Sequence, residues 1–264
     1  MSKTIAFAAA LLALAAPAAA QDAARTGPST QGTGGPALGF TLRGGVQSTP
    51  KYFGAESNEV GPDLGAELNY LNLGPLSFGD PDPLYRPEGF GVTGSFRFVD
   101  ERSASDDAAL AGLDEVDSAI ELGAGVRYAA PSYEVFGAVR YGVTGHETFV
   151  GELGADVFSR PTDRLTLRAG PRALFGTDDY ADTYFGVTPA ESATSGLATY
   201  DPSGGLISAG VELGAGYRLS DSWGVDATVR YDVLTGDAGD SPVVLDQDQV
   251  SASIGVTRRF TFGF

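Results

Sequence analysis

The sequence has no cysteine and only one histidine, one methionine and one tryptophan among its 264 residues. Without cysteine no disulfide stabilises the chain, so its fold must rest on a sizeable hydrogen-bonded framework. Protein zinc sites are usually built from histidine and cysteine, so this composition argues against zinc. We therefore expect no metal site and no cofactor.

Long apolar runs are missing after the first twenty residues. Residues 1–20 contain Lys3, an apolar run over 5–16 and three small residues at 18–20, a pattern typical of a cleaved secretory signal peptide. No later run approaches the ~20 apolar residues that a membrane-spanning helix requires. Residues 21–36 (QDAARTGPSTQGTGGP) have no apolar period and predict a flexible leader, which leaves residues 37–264 as one domain.

Basic residues are scarce: 17 Lys and Arg stand against 34 Asp and Glu, and the net charge is −17. Nucleic acid is therefore not expected as a partner, because binding to phosphates needs clustered basic side chains.

Alternation of apolar and polar residues over about ten positions recurs from residue 37 onward, the length that a tilted strand needs to cross a bilayer. Segment 222–234 is the clearest case, with Trp223, Val229 and Tyr231 on one face and Asp226 and Arg230 on the other. Ten such segments are found: 37–46, 62–71, 89–99, 118–128, 133–143, 150–158, 164–175, 206–219, 222–234 and 249–260. They predict an all-β fold, a transmembrane antiparallel up-and-down β-barrel of ten strands in the outer membrane of a Gram-negative bacterium.

The connections between these segments alternate in length. Those at 129–132, 159–163 and 220–221 are short and are expected in the periplasm. Those at 47–61, 100–117, 144–149, 176–205 and 235–248 are mostly long and are expected outside the cell, as in outer-membrane barrels. Connection 72–88 is long on the periplasmic side, and an extra hairpin starting in 75–79 would raise the strand number to twelve.

Charged residues of both signs lie on the polar faces of the ten segments, which predicts a lumen filled by ion pairs and no bulk conduction. Nine acids are Asp63, Glu67, Glu121, Glu134, Glu152, Asp156, Glu212, Asp226 and Asp232. Nine arginines are Arg43, Arg97, Arg127, Arg140, Arg168, Arg172, Arg218, Arg230 and Arg259.

The five external connections carry the whole net charge of −17. We interpret them as solvated acidic loops. The alternative is that carboxylate groups such as Asp178, Asp179 and Asp182, or Asp106, Asp107, Asp114 and Glu115, bind Ca²⁺ or Mg²⁺ at lipopolysaccharide phosphates. Their spacing does not match a calcium-binding loop.

Several stretches resemble a known family. The strongest are DTYFGVTPAESATSGLATYDPSGG (182–205) and YRLSDSWGVDATVRYDVLTGDAGDSPVV (217–244), which resemble the MipA/OmpV family of outer-membrane proteins. TPKYFGAESN (49–58), ALAGLDEVDSAIELGAGVRY (109–128) and GHETFVGELGAD (145–156) are similar to further family segments, although Ala55 replaces the usual small residue after Gly54. The resemblance covers nearly the whole domain.

This resemblance implies an outer-membrane barrel that acts as a scaffold for murein enzymes, joining a lytic transglycosylase to a peptidoglycan synthase. Roles in adhesion or envelope stress are the other expectation from the family. The family has no agreed catalytic residues, so no catalytic, cofactor-binding or metal residue is assigned, and the chain is not expected to be an enzyme. Outer-membrane lipid and lipopolysaccharide are further expected partners. The terminal Phe264 looks like the signal that barrel-assembly machinery reads.

Two alternatives remain from the residues alone. A narrow channel for small solutes is one. An outer-membrane lipid hydrolase is the other, with His146 beside Glu147 as its base, but no serine lies in a nucleophile-elbow motif. Tyr184, Phe185 and Tyr200 either form a contact patch for a partner or pack their loop over the barrel mouth.

Overall fold

The computed structural model describes residues 37–73, 77–79, 88–105 and 107–263. The expected signal peptide, the leader, Asp106 and Phe264 lie outside these ranges. The described strands are β1 (Ala37–Pro50), β2 (Asn58–Asn72), β3 (Ser77–Gly79), β4 (Gly89–Val99), β5 (Ala119–Ala129), β6 (Tyr133–Gly142), β7 (Phe149–Ser159), β8 (Leu165–Gly176), β9 (Gly205–Arg218), β10 (Trp223–Leu234) and β11 (Asp248–Gly263). The described helices are α1 (Asp178–Phe185), α2 (Pro189–Ser195) and α3 (Gly236–Gly239), and a 3₁₀ turn covers Ala108–Leu110.

All described strands belong to one antiparallel sheet in the order β3, β2, β1, β11, β10, β9, β8, β7, β6, β5, β4. The first and last long strands meet, since β1 pairs with β11 from Ala37↔Gly263 to Ser48↔Ala252. Ten strands have at least ten residues, which confirms the predicted ten-stranded sheet. The three-residue β3 pairs with β2 and lies where the sequence allowed an extra hairpin.

The sheet curls strongly. Arg230 on β10 lies 3.1 Å from Glu152 on β7, although two strands separate β10 from β7 in the sheet. It forms a half-barrel whose edges are β3 and β4. Within the described residues, no ladder joins β4 to β2 or β3. No helix in the same part of the chain is long and apolar enough to cross a membrane.

The two ends of the sheet differ in their connections, as the sequence predicted. Residues 130–132, 160–164 and 219–222 form short turns at one end, which we call the turn end. Residues 51–57, 100–118, 143–148, 177–204 and 235–247 connect strands at the other end, which we call the cap end. The β9–β10 turn is tight because the Ser220 hydroxyl accepts hydrogen bonds from the amides of Ser222 and Trp223, at 3.4 and 3.1 Å.

The outer face of the sheet is apolar between two groups of exposed aromatic residues. Tyr133 and Tyr141 on β6 are eight residues apart, as are Trp223 and Tyr231 on β10, and all four are exposed. Eight residues of strand span about 26 Å, close to the ~25 Å apolar band of outer-membrane barrels. The face that the sequence assigned to lipid therefore has the height of a bilayer core.

One side-chain direction differs from the prediction at the cap end of β9. Simple alternation placed Ile207 on the lipid face, but its side chain is buried under the cap. The ladder register between β8 and β9 changes between Leu174 and Phe175, whose partners are Ser208 and Leu206. This bulge leaves Ile207 without a ladder partner and shifts the alternation by one residue.

Candidate functional site

The lumen holds a chain of ion pairs that crosses from β5 to β10. Arg140 on β6 donates through Nε to Glu121 and through Nη1 to Glu152, at 2.8 and 2.9 Å. Glu152 also binds Arg230, whose guanidinium pairs with Asp232 at 2.6 Å. The side chains of Arg140 and Glu121 are 3% and 0% exposed, so this pair lies out of water and each partner neutralises the other.

A second network lies deeper, toward the turn end. Arg172 on β8 contacts Asp156 on β7 and Glu212 on β9, at 2.9 and 3.0 Å. Arg168, four residues nearer the turn end on the same face of β8, pairs with Glu212 and lies 3.8 Å from Asp156. A polar cavity of about 350 Å³ remains between the two networks.

Three further ion pairs lie in the predicted lumen. Arg43 on β1 binds Asp63 on β2 and Asp226 on β10, at 2.7 and 2.8 Å. Arg127 binds Glu134 at 2.9 Å. Of the nine acids assigned to the lumen, all except Glu67 are thus seen in ion pairs with arginine, and the side chain of Glu67 lies outside the described part. Ion pairing in the lumen is thus confirmed for eight of the predicted acids and for six of the nine predicted arginines, which are Arg43, Arg127, Arg140, Arg168, Arg172 and Arg230.

Above the lumen, the connections at the cap end fold into a cap with its own apolar core. Tyr180, Tyr184 and Phe185 on α1 are buried, and Phe53 from the β1–β2 connection packs on them with ring centroids 5.2 Å from Tyr184. Arg97 on β4 places its guanidinium 5.5 Å from the Phe53 ring centroid. Burial raises the pKa of Tyr180 to about 12, so its phenol stays neutral. The cap therefore covers the opening of the lumen at the cap end.

Local sequence explains how the cap helices form. The Thr177 hydroxyl accepts a hydrogen bond from the Tyr180 amide and begins α1. Thr188 and Glu191 form a reciprocal capping box around Pro189, and Gly196 ends α2 in the left-handed conformation, with φ of 78°. The Glu191 carboxylate also accepts from the Asp114 amide, at 3.0 Å, which fastens connection 100–118 to α2.

The aromatic residues of loop 182–205 pack the cap, which was one of the two interpretations of the sequence. Tyr184 and Phe185 are buried, and the Tyr200 hydroxyl donates to the Asp237 carbonyl at 2.8 Å. Tyr200 also forms a two-way backbone bridge with Val187. These residues join α1 to α3 and offer little free surface.

His146 is a structural residue of the cap. Its side chain is fully buried, with Nε2 3.4 Å from a Glu121 oxygen and with Nδ1 accepting from the Thr148 amide at 3.2 Å. Both ring nitrogens face these groups, and within the described residues no serine hydroxyl bonds to His146. The triad required of a hydrolase is not assembled there. Sequence reasoning missed the contact with Glu121, because only the curl of β5 and the 143–148 connection brings them together.

The acidic connections gather no cluster of three or more metal-binding side chains with suitable geometry within the described residues. Asp106 lies outside those residues, so the group of Asp106, Asp107, Asp114 and Glu115 is only partly described. Asp178 accepts from the Gly204 amide at 2.7 Å, which joins the start of α1 to the residue before β9. Asp107 accepts from the Ala109 amide at 2.9 Å and is the N-cap of the 3₁₀ turn.

The filled lumen predicts that the protein does not conduct ions. Purified protein in a planar bilayer is expected to give no steady stepwise current, because the Arg140 and Arg172 networks cross the lumen below the cap. Deleting α1 and α2 is expected to leave the bilayer silent, since these ion pairs lie beneath both helices. Stepwise conductance of the intact protein would support the alternative of a narrow solute channel.

Comparison with known proteins gives the following similarities. The family model "MltA-interacting protein MipA" matches residues 42–260. The MltA-interacting protein of Escherichia coli (strain K12) is 34% identical over 96 residues, which cover 36% of this chain and 38% of the relative. A second E. coli relative, YiaT, whose name describes it as an outer membrane protein, is 28% identical over 162 residues, covering 59% of this chain and 63% of the relative. The match thus spans less than two thirds of either relative.

Comparison with solved structures gives the following values. An outer membrane channel from Pseudomonas putida F1 has a TM-score of 0.44 and 9% identity, covering 86% of this chain and 96% of that chain. The outer membrane protein OprG from Pseudomonas aeruginosa has a TM-score of 0.31 and 15% identity, covering 86% of this chain and 98% of that chain.

Proposed function

Because the chain belongs to the MltA-interacting protein MipA family of outer-membrane proteins, we propose that it anchors a murein enzyme, such as a lytic transglycosylase, at the inner face of the outer membrane. The observation that supports this proposal is the filled and capped lumen. With the lumen occupied by side chains, the surfaces at the two ends of the barrel are the parts that can bind a partner. The name of the E. coli relative describes interaction with another protein and not catalysis. A peptidoglycan synthase held by the same barrel would complete the scaffold.

The turn end is the surface we assign to the enzyme, because it faces the periplasm when the long connections face outward. Its turns are fastened to one another. Arg160 donates to the Pro131 carbonyl at 2.6 Å, which links the β5–β6 and β7–β8 turns. Arg218 donates to the Asp163 carbonyl at 2.9 Å, which links β9 to the β7–β8 turn. A surface held in this way loses little conformational entropy when a partner binds.

The same proposal includes three other partners: membrane lipid, lipopolysaccharide and the barrel-assembly machinery. The exposed aromatic residues at both ends of the strands support contact with the membrane interface, where such rings are enriched. Lipopolysaccharide would meet the acidic cap through divalent cations. Recognition by barrel-assembly machinery through Phe264 stays a prediction, since that residue lies outside the described part.

Surface plasmon resonance tests the anchor. We expect the purified chain in detergent to bind its cognate lytic transglycosylase, and we expect Asp163→Lys with Asp221→Lys to weaken that binding about tenfold. Both residues are exposed at the turn end, so reversing their charges disturbs the contact and leaves the lumen intact.

Glu56→Lys is the matched control, because Glu56 is exposed in a connection at the cap end. It should bind like the unmodified chain. Absence of binding by the unmodified chain, or equal weakening by the cap-end and turn-end variants, would refute the proposed contact.

A further inference from the structure

The cap contains a cavity of about 740 Å³ that no part of the anchor function uses. It lies between connection 100–118, α1, α2 and the Val187–Tyr200 bridge. Its lining combines one buried basic residue with several acids: Arg102, Asp114, Asp117, Asp182, Glu191 and Asp201. The volume is within the range of protein cavities that bind small organic molecules.

Arg102 is the unusual residue of this lining. It is only 4% exposed, and no carboxylate within the described residues lies within ion-pair distance of it. Its Nη1 donates to the Tyr184 carbonyl at 2.8 Å, while its Nε has no acceptor. That carbonyl is at the C-terminal end of α1 and carries only a fractional negative charge. Among the described residues, Glu191 attracts this guanidinium only from beyond ion-pair distance, so an anionic group in direct contact would stabilise the buried charge further.

The backbone holds Arg102 in place. Its amide donates to the Val116 carbonyl and its carbonyl accepts from the Val116 amide, both at 2.9 Å. Burial lowers the pKa of Arg102, and the attraction of Glu191 offsets this effect only in part. The guanidinium is therefore fixed at the cavity before any ligand arrives, and a carboxylate in the cavity would accept a charge-assisted hydrogen bond from it.

The acids around Arg102 set a second requirement. Glu191 already accepts hydrogen bonds from the amides of Thr188 and Asp114, at 2.8 and 3.0 Å. Asp182 has another carboxyl group, that of Asp201, as its neighbour. Burial and this neighbouring carboxyl raise the pKa of Asp182. Repulsion between these two carboxyls would be relieved by a cationic group placed between them. The ligand should thus carry more positive than negative charge.

We propose that this cavity binds a short basic peptide with a free C-terminal carboxylate. The carboxylate accepts hydrogen bonds from the guanidinium of Arg102, and the ammonium groups of the peptide lie against Asp182 and Asp201. The site is independent of the anchor function, because it lies at the opposite end of the barrel from the turns.

Isothermal titration calorimetry with the full chain in detergent tests the site, with the dipeptide Lys-Ala as the probe. We expect binding with a Kd tighter than about 1 mM. Lys-Ala amide, which lacks the carboxylate, should bind about tenfold more weakly or not at all, as expected for loss of a charge-assisted hydrogen bond. This comparison needs no substitution in the protein, so it holds even if a variant misfolds.

Variants give the second half of the test. Arg102→Gln should weaken Lys-Ala binding about tenfold and abolish the difference between the peptide and its amide. Asp182→Asn with Asp201→Asn should weaken both ligands. Arg164→Gln, at an exposed position of the turn end, is the matched control and should change neither.

Three outcomes would overturn the assignment. They are the absence of Lys-Ala binding to the unmodified chain, equal affinities for Lys-Ala and its amide, and unchanged binding by Arg102→Gln. Spermidine, a cation without a carboxylate, is a further probe. If spermidine binds at least as tightly as Lys-Ala and Arg102→Gln does not change its affinity, the cavity is only an acidic surface, and the proposal is wrong.

Discussion

Glu121→Ala is expected to lower the free energy of unfolding by about 3 kcal/mol, because it leaves a charge in the driest part of the lumen without its closest partner. The Glu121 carboxylate is 0% exposed and binds Arg140 at 2.8 Å, and it also faces His146 at 3.4 Å. Arg140 keeps Glu152, which limits the loss to the lower end of the range for broken buried pairs. The loss in free energy of unfolding can be measured by urea-induced unfolding in lipid vesicles, followed by the fluorescence of Trp223.

Glu134→Ala is the control for this prediction. Glu134 pairs with Arg127 at 2.9 Å, but the two side chains are 24% and 22% exposed, so water screens the pair. The expected loss is below about 1 kcal/mol. Similar losses for the two variants would show that burial does not determine the strength of these pairs. The double variant Glu121→Ala with Arg140→Ala should cost less than the two single losses added together.

Gly170→Ala is expected to have the second large effect, a loss of about 3 kcal/mol or a failure to assemble. A Cβ atom at residue 170 would lie 1.6 Å from the Ala155 carbonyl oxygen and 2.6 Å from its carbon. Those are backbone atoms of β7, so relief requires the two strands to move apart. The β7–β8 ladder is already interrupted beside Pro171, between Gly154↔Arg172 and Val157↔Ala169. Urea unfolding and heat-dependent gel mobility report the result.

Gly216→Ala is the matched control in the next strand, β9. A Cβ atom at residue 216 would meet nothing within 4 Å, so the substitution should be close to neutral. A neutral Gly170→Ala, or an equally harmful Gly216→Ala, would show that the close approach of β7 and β8 is not required for the fold.

The strands and their faces were predictable because a sheet between lipid and a polar lumen imposes a period of two on the sequence. All ten predicted segments are strands, with ends shifted by a few residues. Ile207 shows the limit of this reasoning, since a bulge changes the period without any local signal. The cap was not predictable in the same way. Helices α1 and α2 have only eight and seven residues, and contacts with Phe53 and Asp114 stabilise them.

The candidate sites were predictable only in part, because contacts between distant residues also determine them. Glu121 and Arg140 were assigned to the lumen from alternation, but their pairing depends on strand register and curl. Arg102 lies in a long connection with no periodic pattern, so nothing in the sequence marks it as buried. It is the only basic residue of connection 100–118, among many acids, but this composition does not predict that it is buried.

The pairing of β1 with β11 has a consequence for assembly. Arg43 on β1 donates to the Ser253 hydroxyl on β11, a contact between residues 210 positions apart in the chain. The seam between these strands cannot form until β11 has been synthesised, and contacts of such long sequence separation slow folding. Until the seam forms, the edge of β1 that pairs with β11 stays open to other chains, so newly made protein must be shielded from aggregation on its way to the membrane.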